Sequence, residues 1–220
     1  SDRARVDLAY NLVNLGDKNG HPSFENLGNA TEAVRFYQEA KDLLTSAAET
    51  SSDRELLRSY SVALERLGTM ALAANSIGEA YSHFEASRNI RMQLALAHPD
   101  HANIQRDSGI ASEQIAKVQL QQNDIDGAIK NFKRALDVYL RLYAIDPDDV
   151  NAKRTVAIGR ENLGDALIEQ GKPTAALAEF TTAQELLNEL VSQDPTTPHH
   201  ATKLASIRKK IQHSNTEHSQ

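Results

Sequence analysis

The sequence predicts an all-α protein made of four consecutive helix pairs followed by one further helix. Two residue patterns recur at a shared interval, and apolar side chains within each interval recur every three or four positions. Prolines separate the units at the same interval. A fixed repeat of this kind is typical of proteins that stack supersecondary units in a row, because one unit alone cannot bury its apolar face.

Each predicted pair consists of a helix A and a helix B with separate markers. Helix B carries an Ala, an aromatic residue four positions later and a small residue three beyond it; the alanines recur at intervals of 47, 48 and 48. Helix A carries an aliphatic residue followed by a small one, here called the small position, at intervals of 52, 48 and 48. The helix B markers are Ala33/Tyr37/Ala40, Ala80/Phe84/Ser87, Ala128/Phe132/Ala135 and Ala176/Phe180/Ala183, and the helix A markers are Leu15-Gly16, Leu67-Gly68, Ile115-Ala116 and Leu163-Gly164.

Capping residues and prolines indicate where the helices begin and end. Each helix B begins with a good N-cap or with a proline in its first turn, and further prolines separate the pairs at an interval of 48. The helix-start residues are Asn29, Ser76, Asp124 and Pro173, and the separating prolines are Pro99, Pro147 and Pro195. The predicted repeats span residues 1–52, 53–99, 100–147 and 148–197 of a single domain over 1–213. A capping helix is expected at 200–213, and residues 214–220 are expected to be disordered.

These residues resemble the tetratricopeptide repeat, in which the Gly of helix A precedes the Ala of helix B by twelve residues. Units two to four have that spacing, from 68 to 80, from 116 to 128 and from 164 to 176. The usual repeat has about 34 residues, and two turns added to each helix would give the longer interval while keeping inward side chains on nearly the same face. The resemblance implies a right-handed superhelical solenoid with a concave groove lined by the A helices, and a non-catalytic module that binds a protein or peptide.

Composition narrows the classes of function. The 24 Lys and Arg residues are dispersed among 30 Asp and Glu, with a formal charge of −6, so we expect no nucleic-acid partner. The absence of cysteine excludes disulfides and thiolate chemistry. No apolar run approaches the roughly 20 residues of a membrane span. The His98/His101 and His199/His200 pairs lie in turns between units, and no nucleophile or phosphate-binding motif occurs, so no metal, cofactor or catalytic residue is expected.

Charged residues that recur on the A helices are the candidate groove contacts. An Arg lies ten residues before the small position in three units and a Glu lies three before it, which places both on one helix face. The candidates, with two residues that follow the small position, are Arg58, Glu65, Arg106, Glu113, Lys117, Arg154, Glu161 and Asp165. Two interpretations remain open: the charges form a network that sets repeat register, or they bind a partner.

The glutamates also predict the chemistry of the partner. Tetratricopeptide domains that grip a C-terminal carboxylate use Lys and Asn at these positions, whereas this chain has Glu65, Glu113 and Glu161. An acidic C-terminus is therefore disfavoured. A basic or neutral extended segment is expected to bind instead.

The first turn within a pair, "GDKNGHPSFENLGNATEAV" at residues 16–34, is longer than the others. Seventeen residues separate Gly16 from Ala33, where later units have twelve. Its order of Gly-Asp, Gly-x-Pro and Asn-Leu-Gly resembles the C-terminal repeat region of bacterial receptor-like serine/threonine kinases, with His21 in place of the Asn of that pattern. An ordered turn that shields the end of the stack is one interpretation. A contact site through Phe24 and Asn26 is the other.

The kinase resemblance implies a sensor or docking region of a larger bacterial signalling protein, whose kinase and membrane segment would lie upstream of Ser1. Such a region would be membrane-anchored, and an extracytoplasmic location would be compatible with it. The alternative is a free-standing adaptor or scaffold, or a repeat module of another signalling protein, for which a cytoplasmic location is expected.

Overall fold

The structure, a computed structural model, describes residues 2–217, with side chains described for residues 2–214. Every regular element within these residues is an α-helix, so the predicted all-α solenoid class is confirmed. The helices are α1 (Asp2–Gly20), α2 (Ala30–Ala48), α3 (Arg54–Ala73), α4 (Ile77–Ala97), α5 (Ala102–Gln121), α6 (Ile125–Ile145), α7 (Val150–Glu169), α8 (Pro173–Gln193) and α9 (Pro198–Glu217). Helices α1, α3, α5 and α7 are the A helices, and α9 lies where a fifth would begin.

The chain divides into two compact units, one ending at Val118 and the other beginning at Gln119, so the division falls within α5. In the first unit α1 packs on α2 and α3, α2 packs on α3, and α3 packs on α4. In the second unit α6 packs on α7, α7 on α8, and α8 on α9. Helices that pack in this way contact both their partner in the pair and the neighbouring pair.

The small residue of helix A lies against the aromatic ring of helix B in three repeats. A Cβ atom added at Gly68 would lie 2.7 Å from the Phe84 ring, and Cβ atoms at Gly16 and Gly164 would collide with the rings of Tyr37 and Phe180. Close packing leaves no room for a side chain there. The key alanines of helix B are all fully buried: Ala33, Ala80, Ala128 and Ala176.

The helix starts lie at the predicted residues. The Asn29 side chain accepts a hydrogen bond from the backbone N–H of Glu32 at 3.1 Å, and Asp124 accepts one from Gly127 at 3.0 Å. Ser76 occupies the N-cap position of α4 without a side-chain cap bond. Pro173 is the first residue of α8, and Pro99, Pro147 and Pro195 lie in the breaks between repeats.

The helix boundaries near both ends differ from those read from the sequence. Helix α1 continues to Gly20, so the turn itself comprises residues 21–29, whereas later turns within pairs have three residues each, at 74–76, 122–124 and 170–172. Helix α9 begins at Pro198 and runs past 213 to Glu217. At the start of α9, Pro198 is compatible with a helix because proline is accepted in a first helical turn. Near its end, the buried Ser214 hydroxyl donates a hydrogen bond to the Lys210 carbonyl at 3.0 Å. Residues 218–220 of the expected disordered tail lie outside the described residues.

Candidate functional site

The three glutamates predicted to line a groove have different surroundings. Glu65 and Glu161 are only 9% and 5% exposed. Glu113 contacts a cation of its own helix, with Lys117 Nζ 2.6 Å from its Oε1. Because a buried carboxylate stays ionised only with cations or donors beside it, Glu65 and Glu161 need such partners within the protein.

Glu65 belongs to a set of five side chains on α1 to α4 that we call the N-terminal cluster: Asp17, Tyr37, Glu65, Arg66 and Arg91. Arg91 Nη2 and Arg66 Nη1 donate to the two oxygens of Glu65 at 2.9 and 3.0 Å. Arg66 also donates through Nε and Nη2 to Asp17 at 2.8 and 3.3 Å, and the Tyr37 hydroxyl donates to Asp17 at 2.7 Å. Burial opposes ionisation of Glu65, but Arg91 and Arg66 outweigh it and lower its pKa.

Glu161 belongs to a second set, the C-terminal cluster, with Asp165, Lys203 and Lys210. Lys203 Nζ and Lys210 Nζ each lie 2.9 Å from one Glu161 oxygen, and Lys210 Nζ lies 2.6 Å from Asp165. Burial acts against ionisation of Glu161, yet the two lysines hold its pKa below the usual value. For Asp165 burial prevails and raises the pKa despite Lys210. Both lysines come from α9, so this cluster joins α9 to α7.

The arginines of the predicted ladder bond outside the ladder. Arg58 Nε donates to Asp107 of α5 at 2.6 Å. Arg106 and Arg154 each donate to an Asn three residues earlier in their own helix, at 3.2 and 3.1 Å. Arg58 thus links α3 to α5, whereas the bond of Arg154 stays within its own helix.

Asn26, a candidate contact of the first turn, organises the turn itself. Its side-chain amide donates to the carbonyls of His21 and Phe24 at 2.8 Å each, and its Oδ1 accepts from the Gly28 backbone N–H at 2.7 Å. Gly28 has φ +75°, a conformation that favours glycine. The Asn-Leu-Gly sequence therefore has a backbone role.

Phe24, the other candidate of the turn, is 47% exposed. Its ring stacks on His21 at 4.6 Å between centroids, and the Arg66 guanidinium lies 5.4 Å from the ring centre. His21 is buried, with Nδ1 accepting from the Ser23 backbone at 3.2 Å and Nε2 without a hydrogen-bond partner. Burial, and then Arg66, lower the pKa of His21. The turn thus covers one side of the N-terminal cluster with a neutral imidazole and a phenyl ring.

A groove of about 200 Å³ lies between α1 and α3. Val13 and Val62 line its middle, and Tyr10, which is 64% exposed, lies at its rim. The charged residues that line it are Arg58, Asp17 and Arg66. All three are ion-paired inside the first unit, so the groove combines an apolar middle with charges that already have partners.

Metal-ligating side chains do not converge in the part of the chain that the structure describes: no group of three His, Cys, Asp or Glu is placed to hold an ion there. His98 and His101 lie in the turn between α4 and α5 and line an open depression formed by residues 97–103. None of the helices within 2–217 is both long and apolar enough to cross a membrane.

Residues 113–195 match the family model of the tetratricopeptide repeat. Together with the fold, this match supports the tetratricopeptide repeat family. No curated protein sequence matches the chain. Tetratricopeptide repeats generally form non-catalytic, protein-binding modules, and this is the class of function that the match supports.

Two solved structures share this fold over nearly the whole chain. The yeast histone chaperone Hif1, described as a scaffold protein recruiting protein complexes to core histones, is 14% identical with a TM-score of 0.66, covering 97% of this chain and 94% of its own. BtubC (BKLC) from P. vanneervenii is 12% identical with a TM-score of 0.58, covering 98% and 87%. At such identities the similarity shows the fold alone.

The residues that sequence reasoning missed are those that neutralise the glutamates. Arg91 occupies the helix B position that holds Leu44 in the first repeat and Leu187 in the fourth. An arginine on the apolar face of one repeat was the available signal for an internal partner. Tyr37 gave a similar signal, because the other three repeats have Phe at its position.

Proposed function

We propose that the chain binds an extended, uncharged segment of a partner protein along the face shared by α1 and α3, without catalysis. The groove between these helices carries this proposal, because it is apolar in the middle and its charged residues are already paired. The scaffold role described for Hif1, which has the same fold, fits a module of this class.

The dimensions of the groove fit a short stretch of peptide. Tyr10 and Asp17 are seven residues apart in α1, about 10 Å along the helix axis, which is the length of about three residues of extended chain. Its volume of about 200 Å³ lies below the roughly 300–1,000 Å³ of typical small-molecule sites. It therefore suits a single apolar side chain as an anchor.

Electrostatics favour a neutral ligand. The Asp17 carboxylate accepts hydrogen bonds from Arg66 and Tyr37, and the Arg58 guanidinium is bonded to Asp107. A charged side chain entering the groove would lose hydration without finding an unpaired opposite charge. Of the basic and neutral segments expected from sequence, the neutral one is favoured, and the same argument disfavours an acidic C-terminus.

The wider context that we propose is a docking or sensor region of a larger bacterial signalling protein such as a serine/threonine kinase. Its support is the first turn, in which Gly16 and Asn26 of the resembling pattern each have a defined packing or hydrogen-bonding role. Reading the gene upstream of Ser1 tests this. A kinase catalytic loop followed by an apolar stretch of about 20 residues would support it, and a start codon immediately upstream would favour the stand-alone adaptor.

A display library of random peptides tests binding at the groove. Ser59→Trp fills the groove, Tyr10→Ala removes its rim, and Ser82→Trp, on an exposed site of α4, is the matched control. Peptides selected on the wild type should share one apolar anchor and lose at least about tenfold affinity, roughly 1.4 kcal/mol, for both groove variants but not for the control. Equal binding to all four proteins would place the ligand elsewhere.

The charge of the ligand is tested separately by Glu113→Lys. A neutral segment in the α1–α3 groove should bind this variant as tightly as the wild type, with helicity unchanged. A selective loss of lysine- and arginine-rich peptides would instead favour the basic partner expected from sequence.

A further inference from the structure

His21 makes a hydrogen bond within the first turn that only its neutral ring can make. The residue is 3% exposed, and its Nδ1 accepts from the backbone N–H of Ser23 at 3.2 Å. A backbone N–H can only donate, so Nδ1 carries no proton and the neutral ring keeps its proton on Nε2. A second proton would lie on Nδ1 and point at the Ser23 N–H. Protonation of His21 therefore breaks this hydrogen bond.

The site around His21 is also unfavourable for a positive charge. The charged and titratable groups that act on the ring, within the described residues, come from α1, α2 and α3: Asp17, Tyr37, Glu65 and Arg66. Both carboxylates are already bonded to Arg66, and Asp17 also accepts from the Tyr37 hydroxyl. Burial of the ring and then Arg66 outweigh the two carboxylates and lower the pKa of His21. A protonated ring is best accommodated by moving out towards water.

Phe24 connects His21 to the α1–α3 groove. Its ring stacks on His21 at 4.6 Å between centroids, and its other neighbour is the Arg66 guanidinium, 5.4 Å from the ring centre. Arg66 in turn donates to Asp17 at 2.8 and 3.3 Å, and both of these residues line the groove. A movement of His21 together with Phe24 therefore removes the cover from an ion pair in the groove wall.

We propose that protonation of His21 opens the first turn and weakens binding of a neutral segment in the α1–α3 groove. In the open form Phe24 leaves Arg66, whose guanidinium becomes solvated. Because water screens an exposed ion pair, Arg66 is then held less firmly against Asp17, and the groove wall is less ordered. The effect on binding rests on the proposed function of the groove. The opening of the turn does not, and it can be measured in the free protein.

Thermodynamic linkage gives the direction of the pH effect. A ligand that binds the closed turn more tightly than the open one must also oppose protonation of His21, by the same coupling free energy. Affinity is therefore constant above the pKa of His21 in the free folded protein and falls below it. Binding of the ligand should lower this pKa further.

NMR of the free protein tests the opening of the turn, from about pH 7.5 to the lowest pH at which circular dichroism shows intact helices. The His21 ring, the Ser23 amide and the methyl groups of Val13 and Val62 should shift with one midpoint, below the usual 6.5. His21→Asn keeps an acceptor near the position of Nδ1 without titrating, and should remove the other shifts. A ring that stays neutral over this range, or groove methyl shifts unchanged in His21→Asn, would overturn the proposal.

Phe24→Ala tests whether the turn carries the effect to the groove. The variant should keep the titration of His21 but lose most of the accompanying shifts of Val13 and Val62. Leu27→Ala, at a site of the same turn that is 81% exposed, is the matched control and should retain them. Shifts of equal size in both variants would overturn the proposal, because the groove would then respond without the turn.

A peptide selected on the wild type, with blocked termini and no titratable side chain, measures the effect on binding. From about pH 7.5 to about one unit below the midpoint of His21, its Kd should rise at least about fivefold for the wild type and stay constant for His21→Asn. A peptide whose shifts place it in the groove but whose affinity ignores the protonation of His21 would overturn the proposal. Absence of groove binding at either pH would overturn the proposed function and with it the effect on binding, whereas a shared midpoint in the free protein would still support the opening of the turn.

Discussion

The N-terminal and C-terminal clusters use the same repeat positions in different surroundings. Arg66 and Lys210 each lie two residues before the small position, and each binds the Asp that follows the small position of the preceding helix A, Asp17 and Asp165. In the N-terminal cluster the Arg66 and Asp17 side chains are 17% and 19% exposed, whereas Lys210 and Asp165 are 30% and 43% exposed. The same register thus supports a less exposed ion pair at one end and a more exposed one at the other.

The long first turn accounts for much of this difference. Phe24 lies over Arg66 and stacks on buried His21, so part of the N-terminal cluster is covered by the turn. Loss of one member of a buried pair leaves an unsolvated charge, whereas solvent screens an exposed pair. The N-terminal cluster should therefore be more sensitive to substitution, and the following changes test that contrast.

The largest effect is expected from Glu65→Val. The first repeat has Val13 and Leu44 where the second has Glu65 and Arg91, so the chain contains its own apolar version of this pair. Glu65→Val alone leaves Arg91, 2% exposed, without its carboxylate and should lower the free energy of unfolding by about 3–5 kcal/mol in urea denaturation. Glu65→Val/Arg91→Leu should recover most of that loss; a double variant no more stable than the single one would contradict the account.

Arg66→Lys gives the N-terminal cluster the cation of the C-terminal one. A single Nζ would replace three separate guanidinium nitrogens, of which Nε and Nη2 donate to Asp17 and Nη1 to Glu65, and we expect a loss of about 1.5–3 kcal/mol. Lys210→Arg is the reciprocal control and should change stability less. If both substitutions have equal effects in chemical denaturation, burial of the N-terminal cluster has no energetic consequence.

Ala176→Leu tests the packing of the buried helix B alanine against helix A, a contact that the first and last repeats share. Ala176 is fully buried where α7 and α8 approach each other, so the larger side chain should overpack the contact and lower stability by about 1–3 kcal/mol. Ala178→Leu, exposed on the same helix, should stay within about 0.5 kcal/mol. Thermal and urea unfolding followed by circular dichroism provide the measurement, and equal effects would argue against the assigned register.

The smallest effect is the contribution of His21 to the pH dependence of stability. Since the pKa of His21 is lower in the folded protein than its usual 6.5, the unfolded chain binds the proton more readily. Stability should therefore fall as pH decreases from about 6.5 towards the folded pKa. His21→Asn should reduce this fall, as measured by urea unfolding at several pH values.

The sequence was sufficient for the helix pairs and their packing, because Gly68 against Phe84 and buried Ala80 follow from spacing alone. It was insufficient to predict which residues pair with the charged side chains. The regular spacing of Glu65 and Glu161 suggested one common groove, but each is neutralised by a cation from a different element, α4 for the first and α9 for the second. Repetition fixes which positions are equivalent, whereas the surroundings of a position depend on residues that do not repeat.

The same limit of sequence-based prediction applies to the first turn. Its length and glycines predicted an irregular, ordered segment, and the structure has one. The role of Asn26 within the turn could not be read from composition, because its three hydrogen bonds depend on how the backbone of the turn folds. A contact of Asn26 with a partner stays a prediction.

The central claim, that a partner segment binds along α1 and α3, is tested most directly by methyl NMR during titration with a peptide selected on the wild-type protein. The account predicts that signals of Val13 and Val62 shift in proportion to peptide bound while those of Leu204 and Ile207 stay in place. Shifts confined to Leu204 and Ile207, with Val13 and Val62 unmoved, would contradict it.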